Sequence, residues 1–210
     1  MSERDLNWKY VDESVVETDA VVRARQQSIE LGIDPVSPAV GAQLAVIAAA
    51  ARAESIIEIG TGVGVSGLWM LQSARGALLT SIDTENEYLQ AARENFADAG
   101  IAAARVRLIA GRASEVLPRM NENSYDLVVI DADPALVIEY VEHGLRLAKP
   151  NGSVLVARAL WRGRVADPAR RDEQATAYRA LISELAASPA VATAVSPAGE
   201  GLLQIVKLGA

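Results

Sequence analysis

Two rhythms of apolar residues alternate along this chain. Compact apolar runs at Ser55–Ile59, Ala77–Ile82, Val106–Ala110, Tyr125–Ile130 and Ser153–Arg158 read as strands, too short for helices and too continuous for a half-exposed surface. Between them lie segments of helical spacing: Val65–Ser73, Glu85–Ala99, a short turn near Ser114–Arg119, and Pro134–Ala148. Thr84 and Glu87 have the spacing of a capping box for the second of these. Ahead of the first strand, Ser37-Pro38 reads as an N-cap with proline at the first helical position, opening a helix to about Arg52. Ser14 to Gly32 is amphipathic and is expected to form one accessory helix. After the fifth strand a helix is expected from about Asp167-Pro168 to Ser188. Two last runs, Val191–Val195 and Leu202–Leu208, flank Pro197-Ala198-Gly199-Glu200-Gly201 and read as a hairpin. Strands alternating with helices predict an α/β, doubly wound parallel sheet with ligands at the carboxyl ends of its strands; the hairpin adds an antiparallel strand. No repeat, low-complexity tract or linker divides the chain, so residues 1–35 are expected to form a helical cap and 36–210 one compact unit.

The first strand runs into Glu58-Ile59-Gly60-Thr61-Gly62-Val63-Gly64-Val65-Ser66. Glycines at alternate positions let the backbone turn tightly and approach a ligand closely. Asp83 ends the second strand about twenty residues on, where the acid of a nucleoside-binding β-α-β unit lies. A dinucleotide fingerprint needs a third glycine where Val65 stands, and no Gly-Lys-Ser/Thr follows, so neither that fingerprint nor a P-loop is present. A nicotinamide enzyme is therefore disfavoured.

Composition narrows the class. Half of the 210 residues are hydrophobic but only 4% are aromatic, so the core is built of Ala, Val, Leu and Ile. The absence of cysteine removes disulfides, thiolate metal sites and cysteine nucleophiles. No stretch is apolar for the ~18 residues of a membrane span, and Met1 to Lys9 is polar, unlike a signal peptide; a cytoplasmic protein is expected. A net charge of −7 argues against nucleic acid as a partner.

The form E-x-G-x-G-x-G, with an acid before the glycines, resembles motif I of class I S-adenosylmethionine (SAM) methyltransferases. From about Val36 to Leu208 the chain is similar to the catechol/caffeoyl-CoA type O-methyltransferases, closest to an actinobacterial subset. The matching pieces are Val36-Ser37-Pro38-Ala39-Val40-Gly41, Glu58 to Ser66, Ala92-Arg93-Glu94-Asn95, Asp126 to Asp133, and Leu160-Trp161-Arg162-Gly163-Arg164-Val165. The resemblance implies a Rossmann-like seven-stranded sheet with a reversed last strand, SAM as methyl donor, a small-molecule acceptor and a homodimer. It also implies that Val36, Glu58, Gly60, Thr61, Gly62 and Ser66 surround the methionine part of SAM and that Asp83 accepts from the ribose hydroxyls. Arg112 and Ala113 would border the adenine, and Asp131 would lie beneath the sulfonium, facing the substrate. Asp133 is either a cofactor contact or the N-cap of a helix opened by Pro134.

Three positions depart from that family. Its divalent cation is held by the first aspartate of an Asp-Ala-Asp-Lys motif and an Asp-Asn pair at the end of the fifth strand, and the lysine helps to deprotonate the acceptor. Here the aspartate remains as Asp131, the lysine position is Pro134, and the Asp-Asn position is Ala157-Arg158. Hard cations need several oxygen ligands, so one carboxylate beside an arginine is a poor cage, with Asp131 the one ligand left. Arg158 is expected to take the vacated cation space, pair with Asp131 and position an anionic acceptor oxygen; the alternative is an ion pair that only neutralises the aspartate. Trp161 and Arg162 are expected in the acceptor wall, either as substrate contacts or as a solvated loop with one anchoring aromatic. His143 and the few lysines (Lys9, Lys149, Lys207) fall away from the strand ends, which leaves no general base in view. A non-catalytic SAM-binding sensor or oligomeric partner is the alternative to an enzyme.

Overall fold

A computed structural model describes residues 3–209; the first two residues and the last of the expected 1–35 and 36–210 units lie outside the described residues. Seven strands form one sheet: β1 (Ser55–Ile59), β2 (Leu78–Asp83), β3 (Val106–Ala110), β4 (Tyr125–Ile130), β5 (Ala148–Ala157), β6 (Val191–Ser196) and β7 (Leu202–Lys207), in the order β3-β2-β1-β4-β5-β7-β6. The first five run parallel to one another, whereas β7 runs antiparallel to both β5 and β6. The fold expected from the alternating rhythm is therefore present, with its reversed strand inserted between β5 and β6.

Side chains leave each strand on alternate faces and find helices on both. Ile56, Leu79, Leu127, Val129 and Leu155 pack against α2 (Asp19–Glu30), α3 (Pro38–Ala50), α4 (Val65–Ser73) and α5 (Asn86–Asp98). Ile57, Ile59, Val128, Ile130 and Val154 pack against α6 (Ala113–Val116), α7 (Val137–Leu147) and α8 (Glu173–Ala187). Each fully buried Ile or Leu contributes about 1.5–3 kcal/mol. The chain leaves β1 toward β2 and β3, then returns to place β4 on the other side of β1. That reversal opens a crevice at the carboxyl ends of β1 and β4.

Several boundaries differ from the expected ones, each for a local reason. The single helix over Ser14–Gly32 is instead α2 plus a separate α1 (Glu3–Ser14), because Thr18 adopts extended φ/ψ and caps α2 through Val21 N. Thr84 and Glu87 form no capping box. The α5 N-cap is Glu85, without a side-chain bond, and Asp83 Oδ1 accepts from Glu85 N instead. Helix α8 begins at Glu173, not near Pro168, because Asp172 caps it through Ala175 N. Strand β5 starts at Ala148, ahead of the expected Ser153, with an irregular register opposite β4. Ser37 caps α3 as expected, its hydroxyl accepting from Val40 N.

Candidate functional site

The crevice is built on the glycine turn after β1. Gly60, Gly62 and Gly64 all take positive φ (93°, 48° and 90°), which only glycine adopts without strain. Gly60 N donates to Ile82 O and Asp131 N donates to Ile59 O, each at 2.9 Å, so the ends of β1, β2 and β4 are tied together at the turn. Asp83 Oδ2 accepts from Gly62 N at 2.9 Å, which fixes that carboxylate at the rim.

Glu58 lies behind the turn, fully buried. Its two oxygens accept from Ser66 Oγ on α4 (2.5 Å) and Ser81 Oγ on β2 (2.6 Å), and Thr61 Oγ1 is 2.6 Å from Ser81 Oγ. Burial pushes the Glu58 carboxyl from 4.5 up to about 7; the two serine bonds pull it down, and Asp131 and Asp83 add to the rise. Glu58 thus braces the turn from within, and the cavity wall in front of it is made by Thr61, Ser66 and the glycines.

Two connected hollows share Gly60, Asp83, Asp131, Ala132 and Asp133. One, about 230 Å³, reaches Gly111 and Ala113 after β3. The other, about 340 Å³, is bounded by Val36, Gly62, Ser66, Arg158, Trp161, Arg162 and Glu200. Val36 is held there by Arg25, which donates to its carbonyl at 2.7 Å while forking onto Glu17. Of the residues expected at the site, Glu58 stands behind the wall and Arg112 is exposed at the N-cap of α6, outside both hollows. Asp133 does two things at once: it caps the turn at Pro134 through Ala135 N and also lines both hollows. His143 is in the second half of α7, away from the hollows. Lys9, Lys149 and Lys207 pair with Glu13, Asp126 and Asn123 respectively.

Arg158 follows β5 beside Asp131, which closes β4. Its Nε donates to Asp131 Oδ1 at 2.7 Å and its Nη1 to Asp34 Oδ2 at 3.1 Å; Nη2 donates to the Asp34 carbonyl. Glu200 Oε2 is 3.7 Å from Nη1, and Arg162 reaches both Glu200 (3.2 Å) and Asp34 (3.4 Å). Burial alone would lower the Arg158 pKa. The charge and hydrogen bond of Asp131, then Asp34 and Glu200, outweigh that and hold it above the ordinary arginine value, so the group is a permanent cation. Arg158, Trp161 and Arg162 all have positive φ (57°, 45° and 53°), an uncommon backbone state for non-glycine residues. Burial pushes the phenol of Tyr178 on α8 up to about 12, with Asp131 adding and Arg158 opposing, so it stays protonated at neutral pH.

The Arg158 guanidinium occupies the space directly beside Asp131. Among the described residues no group of three or more His, Asp or Glu side chains is arranged to hold a metal. A cation bound at Asp131 would have to displace Arg158 and would meet an alanine and an arginine where carboxylate and amide ligands are needed. The donor set does not fit a metal.

Asp34 and Glu200 escaped the sequence reading. Both lie in connecting segments, one before Pro35 and one inside the hairpin turn, and only tertiary folding brings them onto Arg158. Ser81 did carry a signal: a hydroxyl within an apolar strand, paired in register with Glu58.

Comparison with known proteins places the chain in a family and agrees with its fold. The O-methyltransferase family profile matches residues 12–208. A Mycobacterium avium protein, itself only provisionally assigned as an O-methyltransferase, is 43% identical over 199 residues, covering 94% of this chain and 90% of the relative. A Corynebacterium glutamicum crystal structure superposes with a TM-score of 0.90 at 28% identity, covering 100% of this chain and 99% of that one. The O-methyltransferase TomG of Streptomyces achromogenes, involved in tomaymycin synthesis and solved in complex with SAM, gives 0.85 at 26% identity with complete coverage of both chains.

Proposed function

Because this chain belongs to the O-methyltransferase family, we propose that the crevice binds SAM and catalyses methyl transfer to an oxygen of a small-molecule acceptor without a metal. The observation that carries this reading is the Asp131–Arg158 pair in a cleft that also presents the glycine turn, Ser66 and Asp83. When bound, SAM supplies an electrophilic methyl group on a sulfonium, and transfer leaves S-adenosylhomocysteine (SAH).

The residues present suit that cofactor. A Cβ at Gly62 would meet nothing closer than Ile33 Cγ2 at 3.7 Å, so the turn leaves room for a ligand's methionine part beside Thr61, Ser66 and Val36. Asp83, held by Gly62 N, presents a carboxylate suited to ribose hydroxyls. The hollow at Gly111 and Ala113 suits the adenine. Asp131 and Asp133 supply negative charge toward the sulfonium.

On the acceptor side, Trp161 offers a planar wall and Arg162 an exposed cation. Arg158 orients Asp131, and a cation fixed beside the acceptor favours an oxygen that reaches the site as its anion. With lysine replaced by Pro134 and Tyr178 protonated, alignment of the acceptor with the methyl group supplies the acceleration. An acceptor already ionised at neutral pH needs no base.

Residues 1–35 are proposed as a cap over the cleft and 36–210 as the transferase unit. Leu6, Trp8, Tyr10 and Val11 of α1 are all at least 44% exposed, apolar surface that supports a homodimer. Among the described residues no helix is long and apolar enough to cross a membrane, and a cytoplasmic setting with no nucleic-acid partner is proposed. A second reading, a SAM-binding protein without catalysis, is favoured by the saturation of Arg158 with the chain's own carboxylates. Conversion of SAM to SAH, followed by mass spectrometry in EDTA over a panel of phenols and carboxylic acids, separates the two. Methylated product supports the enzyme. SAH binding with no turnover of any acceptor supports the second reading.

A further inference from the structure

The carboxylate of Asp34 is held between two guanidinium groups, inside the hollow proposed for the acceptor. Its Oδ2 is 3.1 Å from Arg158 Nη1 and 3.4 Å from Arg162 Nη2. The three carboxylates around these arginines are not equivalent. Asp131 is 14% exposed and fixed at the end of β4 by its own N–H bond to Ile59. Glu200 is 30% exposed, with Oε2 buried and without a hydrogen bond. Asp34 is 61% exposed, on the linker between α2 and α3, and is tethered to the site only through these arginines. Of the three it is the one a ligand can replace at least cost, because its side chain regains water when it leaves.

We propose that Asp34 is a placeholder for a carboxylate of the acceptor, so that the natural acceptors are small carboxylic acids, docked by Arg158 and Arg162 once Asp34 swings out. Two guanidinium groups converging on one carboxylate oxygen form a recognition element that a neutral ligand matches poorly. The exchange leaves the charge balance unchanged, because one ligand carboxylate replaces that of Asp34 between the two arginines. Trp161, which lines the same hollow, offers a flat face to the rest of such a molecule. This inference rests on the methyltransferase reading and adds the acceptor's class to it.

The test is calorimetric titration of the full-length protein, saturated with SAH, with benzoate and with its neutral isostere benzamide at constant ionic strength. Benzoate is expected to bind about tenfold tighter than benzamide. Asp34→Asn, which keeps the shape and removes the charge, is expected to tighten benzoate by roughly threefold or more. Arg162→Ala is expected to weaken it by at least about fivefold. Equal affinities for benzoate and benzamide in protein that binds SAH would overturn the inference and leave the methyltransferase reading standing, as would an Asp34→Asn variant that binds SAH but gains nothing toward benzoate. Failure of the wild-type protein to bind SAH would instead bring down the methyltransferase reading, and this inference with it.

Discussion

A methyl group on Gly60 would sit 2.0 Å from the carbonyl oxygen of Asp131, so the turn and the end of β4 are in contact backbone to backbone. That contact is why the glycine motif was legible as a ligand turn: no other residue both fits there and adopts φ of 93°. Glu58 was legible as part of the motif, but its position was not. Alternation along β1 turns it toward α4 rather than into the cleft, where Ser66 and Ser81 meet it. This has a consequence for stability. The unfolded chain loses the Glu58 proton near pH 4.5, whereas the folded protein keeps it until about 7. Between those values the native state binds more protons, so stability falls as pH rises, by roughly 3 kcal/mol in all, and levels off above about 7. A Glu58→Gln variant lacks this component. Melting temperatures measured from pH 5 to 8 should therefore fall more steeply for the wild type than for the variant; parallel curves would show that Glu58 does not titrate in that window.

Elements were easiest to place where one local signal dominated. Helix α3 carries its serine cap and N1 proline, and β1 and β4 carry uninterrupted apolar runs. Boundaries slipped where the deciding contact is elsewhere. The break between α1 and α2 follows Thr18, and Glu17 beside it is held by Arg25 from the next turn. The start of α8 yields to Asp172 because Arg179 ties down the preceding loop, donating to the carbonyls of Arg164, Val165, Asp167 and Arg170. At the amino ends of the strands Asp126 joins β1, β4 and β5: it accepts from Glu54 N, Ser55 N, Ser55 Oγ and Lys149 Nζ, all within 2.9 Å. Burial alone would raise its pKa. Lys149, Ser55 and the two backbone donors outweigh that and hold it at about 2, so its contribution is present above pH ~4 and fades as pH falls toward 2. Asp126→Ala leaves those donors unpaired and should lower unfolding free energy by about 2–3 kcal/mol in urea titration. Because Asp126 is at the end of the sheet opposite the cleft, SAH affinity should change by less than about twofold. A large loss of affinity would mean that the two ends of the sheet are coupled.

On the scale of the whole molecule, sheet order places chemistry that the linear sequence scatters. Asp34, Asp131, Arg158, Arg162 and Glu200 span most of the chain, yet they meet because β4, β5 and β7 are neighbours and the α2–α3 linker crosses above them. The Asp131–Arg158 pair was legible, since both ends of adjacent strands could be read. Its extension to Asp34 and Glu200 was not, because no local pattern marks a loop residue that acts at a distance. If the crevice is a SAM site whose cation is the fixed guanidinium of Arg158, cofactor binding needs no metal. Titration calorimetry with SAH, in EDTA and then with added magnesium, tests it most directly. Binding is expected in both buffers, with affinities agreeing to within about twofold. Binding that appears only with magnesium, or no binding in either buffer, would contradict it.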